Sequence, residues 1–184
     1  RDKKIILTIS RVEEKKNSRR LVEAFAEYAK TGDKSAVLVF AGGLGFGAES
    51  IQEFIAAEGL QERVIFTGYI SDSEIVSLLM SAQVFAFPSL YEGFGMPILE
   101  AMYYSVPVIC SDIPPLREIA GDAAIFFDPY STAAIAQAFT HVIDAPDGPH
   151  AFAAQIEAGR KRAQEFSWSE TALQTWDSIQ QGIL

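Results

Sequence analysis

Short runs of β-branched and aromatic residues alternate along this chain with stretches whose apolar positions recur at helical spacing. Six runs read as strands: Lys4–Ile9, Ala36–Phe40, Val64–Thr67, Val84–Phe87, Val106–Cys110 and Ala124–Phe127. Between them the spacing predicts helices near Ser18–Lys30, Ala48–Glu58, Asp72–Met80 and Pro97–Tyr104, with a shorter one at Pro115–Ala120. In the first, Leu21, Phe25 and Tyr28 fall at spacings of four and three beside Val22, Ala26 and Ala29, one apolar stripe for a sheet to cover. Ser71 with Glu74 three residues on is the signature of a capping box opening the third helix. Helices at Thr132–Ile143, about Pro149–Glu165 and Trp168–Ile183 follow the last strand, the first two separated by the turn-forming Asp144-Ala145-Pro146-Asp147-Gly148. The alternation predicts an α/β fold: a Rossmann-like parallel sheet of about six strands with helices on both faces. No repeat, low-complexity tract or internal linker interrupts residues 1–184, so they read as a single domain.

Composition narrows the setting. The 184 residues suffice for one core; they are 49% apolar and 21% charged, a globular profile. Apolar runs reach only about five residues, too short for a membrane span. Arg1-Asp2-Lys3-Lys4 is followed only by the short Ile5–Ile9 run, which is no signal peptide. A chain that lacks an initial Met and enters a strand at once is expected to be cut from a longer protein. Cys110 is the only cysteine, so no intramolecular disulfide forms and a reducing, cytoplasmic compartment fits. With no His or basic residue near it in sequence, it reads as a buried inert thiol. The net charge of −9 argues against nucleic acid or an anionic membrane as the domain's partner, yet leaves room for a small anion held by local cations. His141 and His150 have no second ligand at metal spacing, and Asp112 with Glu118, Asp122 or Asp128 forms no recognisable acid/base pair. Trp168 and Trp176, eight apart, mark a face of the last helix that packs on this domain or on a missing one.

In such a sheet ligands sit at the carboxyl ends of strands, so the loops leading into helices are the place to seek chemistry. The densest is Pro88-Ser89-Leu90-Tyr91-Glu92-Gly93-Phe94-Gly95-Met96-Pro97, running on to Glu100. Pro97 suits the first helical position, leaving the N–H groups around Phe94–Met96 free to face an anion. Gly93 and Gly95 admit close backbone approach. Glu92 and Glu100 frame the loop; carboxylates repel phosphate but accept hydrogen bonds from sugar hydroxyls. Either Glu alone is equally a first-turn acid favoured by the helix dipole. After the first strand, Arg11 and Lys16 in Ser10–Asn17 could hold a diphosphate, although read alone that loop is better described as a solvated charge run. The glycine-rich Ala41–Gly47, with Gly43, suits ligand contact, a lid or a plain turn. It is no dinucleotide fingerprint, because Ser10-Arg11 follows the first strand instead. Gly68-Tyr69-Ile70-Ser71 offers backbone for a nucleobase edge, with Tyr69 or Ile70 over the ring, or a generic turn.

Taken together these loops resemble the group 1 glycosyltransferases, the retaining family of two-domain GT-B architecture. Glu92 to Glu100, enclosing Gly93-Phe94-Gly95-Met96-Pro97, is similar to that family's E-x7-E signature; Ser10-Arg11 with Lys16 is similar to its diphosphate-binding pair. Phe66-Thr67-Gly68-Tyr69, Val106–Ser111 and Gly121–Ala124 with Phe127-Asp128-Pro129 agree. The resemblance covers residues from about 4 to 180, the C-terminal, donor-binding half. It implies that Arg11 and Lys16 bind the donor's diphosphate and neutralise the leaving group. Glu100 would hold the ribose hydroxyls, and Glu92 with Gly93, the Phe94 and Gly95 backbone and Met96 the transferred sugar and distal phosphate. Tyr69 and Ile70 fall where the base-contacting loop lies. It further implies a UDP- or GDP-sugar donor, no metal or other cofactor, retention of configuration, and a glycan or lipid-linked acceptor bound by an absent N-terminal domain. The full-length enzyme would then work in the cytoplasm or at the inner face of the membrane, and the chain alone would transfer little. The glycine loop with Phe46 leans toward mannose. Asn17 stands where glycine is more usual and is expected to change only the helix entry. Two other readings stay open: an epimerase half of similar topology, which would want an acid/base pair aimed at the sugar, and an interaction module whose four charged residues need not converge.

Overall fold

A computed structural model describes residues 3–182. Arg1 and Asp2 of the charged start, and Ile183 at the end of the last expected helix, lie outside the described residues. In chain order the elements are β1 (Lys4–Ile9), α1 (Ser18–Thr31), β2 (Ala36–Ala41), α2 (Ala48–Ala57), β3 (Val64–Gly68), α3 (Asp72–Ser81) and β4 (Ala82–Phe87). There follow α4 (Met96–Tyr103), β5 (Val108–Ser111), α5 (Pro114–Ala120), β6 (Ala124–Phe127), α6 (Thr132–Ile143), α7 (Ala153–Gln164) and α8 (Trp168–Gly182). The strands form one sheet in the order β3-β2-β1-β4-β5-β6, every pair parallel, as the alternation predicts.

Period-two alternation splits the core into two layers. Ile6, Leu38 and Phe40 face one side with α1, α2 and α6, where Leu21, Phe25 and Phe139 pack. Leu7, Val37, Val39, Phe85 and Phe87 face the other, against Ile98 and Met102 of α4 and Leu116 of α5. Because both faces are covered, β2 is buried along its whole length. Cys110 belongs to the second layer, and burial pushes its thiol pKa up, away from reactivity. No helix among the described residues is long and apolar enough to cross a membrane.

Several boundaries move, each for a local reason. Val106 does not enter β5: its N–H bonds back to Ala101 O (3.0 Å), finishing α4, and Pro107, which has no N–H, contributes only its carbonyl to Phe85 N. Pairing therefore begins at Val108 and extends to Ser111. β4 starts at Ala82, two residues early, where Gln83 Oε1 accepts from Ile5 N beside a register shift in the ladder. Gly95, at φ 114°, starts α4 at Met96, so Pro97 takes the second helical position. The helix expected over 149–165 opens as a 3-10 turn at Gly148–Phe152, and α7 begins only after Phe152 is buried. Glu74 reaches back to the Ser71 N–H (2.8 Å) and hydroxyl (2.7 Å), the reciprocal contact of the expected capping box.

α8 buries none of its residues, and Trp168, Leu173, Trp176 and Ile179 stand exposed along it. Its Trp-bearing face is therefore not buried against this domain.

Candidate functional site

The chain lays β1, β2 and β3 outward in one direction, then returns to place β4 on the other flank of β1. Between β1 and β4 the winding reverses, and the loops leaving those two strands open a crevice at their carboxyl ends. This brings together residues far apart in sequence. Lys16 Nζ donates to Glu92 Oε1 at 2.5 Å across a separation of 76 residues. Their side chains keep only 21% and 13% exposure, and the ammonium lies 5.4 Å from the centre of the Phe87 ring. Leu90 N donates to Lys15 O (2.9 Å), so the two loops are joined through backbone as well. The loop that reads alone as a solvated charge run therefore contains one charge that is largely covered and paired.

Arg11 shares that edge but not that ion pair. Its nearest carboxylate is Glu13, with Nε 3.7 Å from Oε1, and its side chain is 65% exposed. The glycine-rich loop braces it from behind. Gly43 O accepts from Val12 N (3.0 Å), and a Cβ built on Gly45 would fall 2.2 Å from Val12 O and 3.1 Å from Arg11 Nε. At Gly42 a Cβ would meet Ser10 O at 2.3 Å. Glycine is required here so that one loop can lie on another. The first half of the glycine-rich loop is folded tightly against the Arg11 backbone, a Cβ on Gly43 would meet nothing, and Phe46 at its tip is almost wholly exposed.

Gly95 turns the chain into α4 with a positive φ, and a Cβ there would come within 2.9 Å of Leu116 Cδ2. The N–H of Met96, at the head of α4, has no intrahelical acceptor and is free for an anion. Gly93 and Phe94 precede it in the loop; the Phe94 ring sits edge-on to Phe166, with centroids 5.7 Å apart. Glu100 lies one turn into the helix. It is reached by solvent, yet the protein around its carboxyl, and secondarily the negative charge of Asp72, push its pKa above the ordinary value. Asp72 opens α3, just after Gly68-Tyr69-Ile70-Ser71, so the Glu100 carboxyl feels a charge at the end of that loop. Within it Ile70 packs on the core and Tyr69 is 93% exposed, leaving Tyr69 as the free side chain.

A groove of about 630 Å³ runs beside this region, lined by Phe94, Met96, Glu100, Tyr103, Phe166 and Trp168 among others. It is apolar and none of Arg11, Lys16 or Glu92 lines it, but Phe94, Met96 and Glu100 do, so the groove holds three of the expected site residues while the three charged ones lie outside it. Among the described residues no three His, Cys, Asp or Glu side chains gather as ligands for a cation. One residue escaped the sequence reading, and another, Asn17, was expected to change only the helix entry. Asp72 looks like any first-turn acid. Asn17 is buried and fully hydrogen-bonded, although its only mark in sequence is a non-glycine residue at a turn.

Comparison with known proteins agrees with the fold. The family model of glycosyl transferases, group 1, matches residues 1–162. The chain is 31% identical over 169 residues to the O-antigen chain mannosyltransferase B of Escherichia coli, covering 92% of this chain and 44% of that protein. It thus spans under half the length of that relative. Among solved structures, sucrose-phosphate synthase from Thermosynechococcus elongatus superposes with a TM-score of 0.82 at 29% identity, over 99% of this chain and 46% of the other. HepE from Anabaena, solved in complex with UDP and glucose, superposes with a TM-score of 0.83 over 98% of this chain and 49% of its own; at 21% identity this speaks for the fold alone.

Proposed function

The chain belongs to the group 1 glycosyl transferases, and on that premise we propose that it is the nucleotide-sugar-binding half of a retaining, metal-independent hexosyltransferase. The observation that carries the reading is the Lys16–Glu92 contact at the point where the sheet reverses, with Arg11 and the head of α4 on the same edge. A diphosphate needs cations and free N–H groups, a sugar needs acceptors for its hydroxyls, and the crevice offers both side by side.

In this reading Arg11 and Lys16 hold the diphosphate, with the N–H groups around Phe94–Met96 on the phosphate next to the sugar. Glu92 accepts from the sugar's hydroxyls, with Gly93 and Gly43 giving the ligand room. Glu100 accepts from the ribose hydroxyls, which would stabilise a carboxylate whose pKa burial, and then the charge of Asp72, push up. Tyr69 covers the base, with Ile70 fixing its loop. Transfer breaks the bond between the anomeric carbon and the diphosphate oxygen and forms one to an acceptor hydroxyl on the same face. The acceptor's proton passes to the departing diphosphate, whose new charge Lys16 and Arg11 meet; no step calls on a metal. Mannose is the favoured sugar, in keeping with the mannosyltransferase named above. The donor is a UDP- or GDP-sugar, and UDP is what HepE holds. The acceptor, a glycan or lipid-linked glycan, belongs to an N-terminal half, for which the exposed Trp168, Leu173, Trp176 and Ile179 of α8 offer a packing face. The whole enzyme then acts in the cytoplasm or at the inner membrane face.

A thermal-shift screen of UDP-, GDP- and ADP-sugars tests the reading, since a ligand at one hundred times its Kd stabilises by about 2.7 kcal/mol. One nucleotide class is expected to raise the melting midpoint by several degrees; no shift with any of them at millimolar concentration would remove the assignment.

A further inference from the structure

We infer that Asn17 is a positioning residue that sets the reach of Lys16 toward Glu92 by bolting its own loop to those that follow β4 and β6. The inference rests on the donor-binding reading and deepens it.

Asn17 follows Lys16 directly and takes a left-handed conformation, φ 56° and ψ 29°, between the 3-10 turn Glu14–Lys16 and the start of α1. Backbone alone would favour glycine there, because only glycine adopts φ above zero without cost. What the asparagine adds is its amide. Its Nδ2 donates to Pro88 O at 3.1 Å and to Pro129 O at 2.7 Å, the loops after β4 and β6. Its Oδ1 accepts from Arg20 Nη1 at 2.7 Å, and the same guanidinium nitrogen lies 3.3 Å from Pro129 O. The side chain is 5% exposed, so these bonds form away from competing water.

The consequence is geometric. Pro88 begins the loop that carries Glu92, and Lys15 O on the other side of Lys16 accepts from Leu90 N in that loop. Lys16 is therefore tied on both flanks to the segment bearing its carboxylate partner. A lysine side chain has four rotatable carbons and by itself gives a mobile charge; here its root is fixed. Removing the amide while keeping the turn frees that root, so the ammonium is spread over more positions and grips a diphosphate less well.

Asn17→Gly isolates the effect, since glycine accepts φ 56° and deletes only the side chain. The readout is the ratio of affinities for a nucleoside diphosphate and its monophosphate, UDP against UMP and GDP against GMP, by calorimetry well below each variant's melting midpoint. A general loss of fold lowers both alike; a loss of Lys16 positioning lowers the diphosphate alone. The wild-type chain is expected to favour the diphosphate, and Asn17→Gly to shrink that preference about tenfold, the scale typical of lost supporting contacts. Asn17→Asp, of the same shape but facing two carbonyl oxygens with a carboxylate, is expected to shrink it as well, and it stands in should the glycine variant fail to fold. An unchanged ratio in the folded variants would overturn the inference while leaving the site in place. A wild-type chain that binds neither diphosphate would overturn the functional reading and this inference with it.

Discussion

Lys16→Met removes the one cation that the fold holds against Glu92, and its effects on binding and stability should separate. A hydrogen bond to a charged group is worth about 1.5–3 kcal/mol, which is roughly ten- to a hundredfold in Kd. The loss should fall toward the upper end, because a carboxylate with only 13% side-chain exposure is left facing the incoming diphosphate. Two like charges about 6 Å apart at an effective dielectric near 20 repel by about 3 kcal/mol before screening. Stability should also drop. Breaking a fully buried pair costs about 3–5 kcal/mol and an exposed one about 0–1, so this partly covered pair lies between, at about 2. For a chain of this length that lowers the melting midpoint by about 4–8 °C. The double variant Lys16→Met with Glu92→Gln removes the stranded charge and should recover most of the stability, together with the part of the affinity that the repulsion took, but not the part owed to the ammonium itself. Urea denaturation gives the first quantity and calorimetry with UDP and GDP the second. Affinity restored to the wild-type level in the double variant, or unaffected in the single one, would refute the assignment of Lys16 to the diphosphate.

Arg11→Ala should weaken the same diphosphate by about 1.5–3 kcal/mol with little change in melting, since Arg11 makes only a long contact to Glu13; calorimetry showing wild-type affinity would count against it. Glu100→Gln should stabilise the unliganded chain at neutral pH while weakening nucleotide binding. Because the folded pKa is raised, the Glu100 charge costs stability above that pKa, and the cost fades as pH falls, vanishing below the unfolded value of about 4.3. Solvent access keeps the gain under about 1 kcal/mol, and melting curves of both proteins from pH 4 to 8 check the convergence. Gly95→Ala should cost about 1–3 kcal/mol in denaturant titrations, for its φ of 114° and the 2.9 Å approach of Leu116 Cδ2.

The fold was legible because both local signals agreed with it: β2 reads as an unbroken apolar run and is buried throughout, and α1 carries its stripe where the sheet needs it. Boundaries were less so wherever a hydrogen bond outside the element decided them, as Val106 did by bonding back to Ala101 O. The site divides the same way. The stretch from Glu92 to Glu100 stood out in sequence because residue types and spacing carry the chemistry together. Lys16 was a candidate only in company, its loop read alone being a solvated charge run, because what distinguishes it is a contact 76 residues away. Asn17 was the least legible, since its role lies in three side-chain bonds to other loops, and no local pattern encodes those.

A crystal structure of the chain with bound UDP or GDP tests the central claim most directly. The account predicts the diphosphate between Lys16, Arg11 and the head of α4, with the ribose on Glu100. Nucleotide seated instead in the apolar groove between α4 and α8, with Lys16 and Glu92 still paired and apart from it, would contradict it.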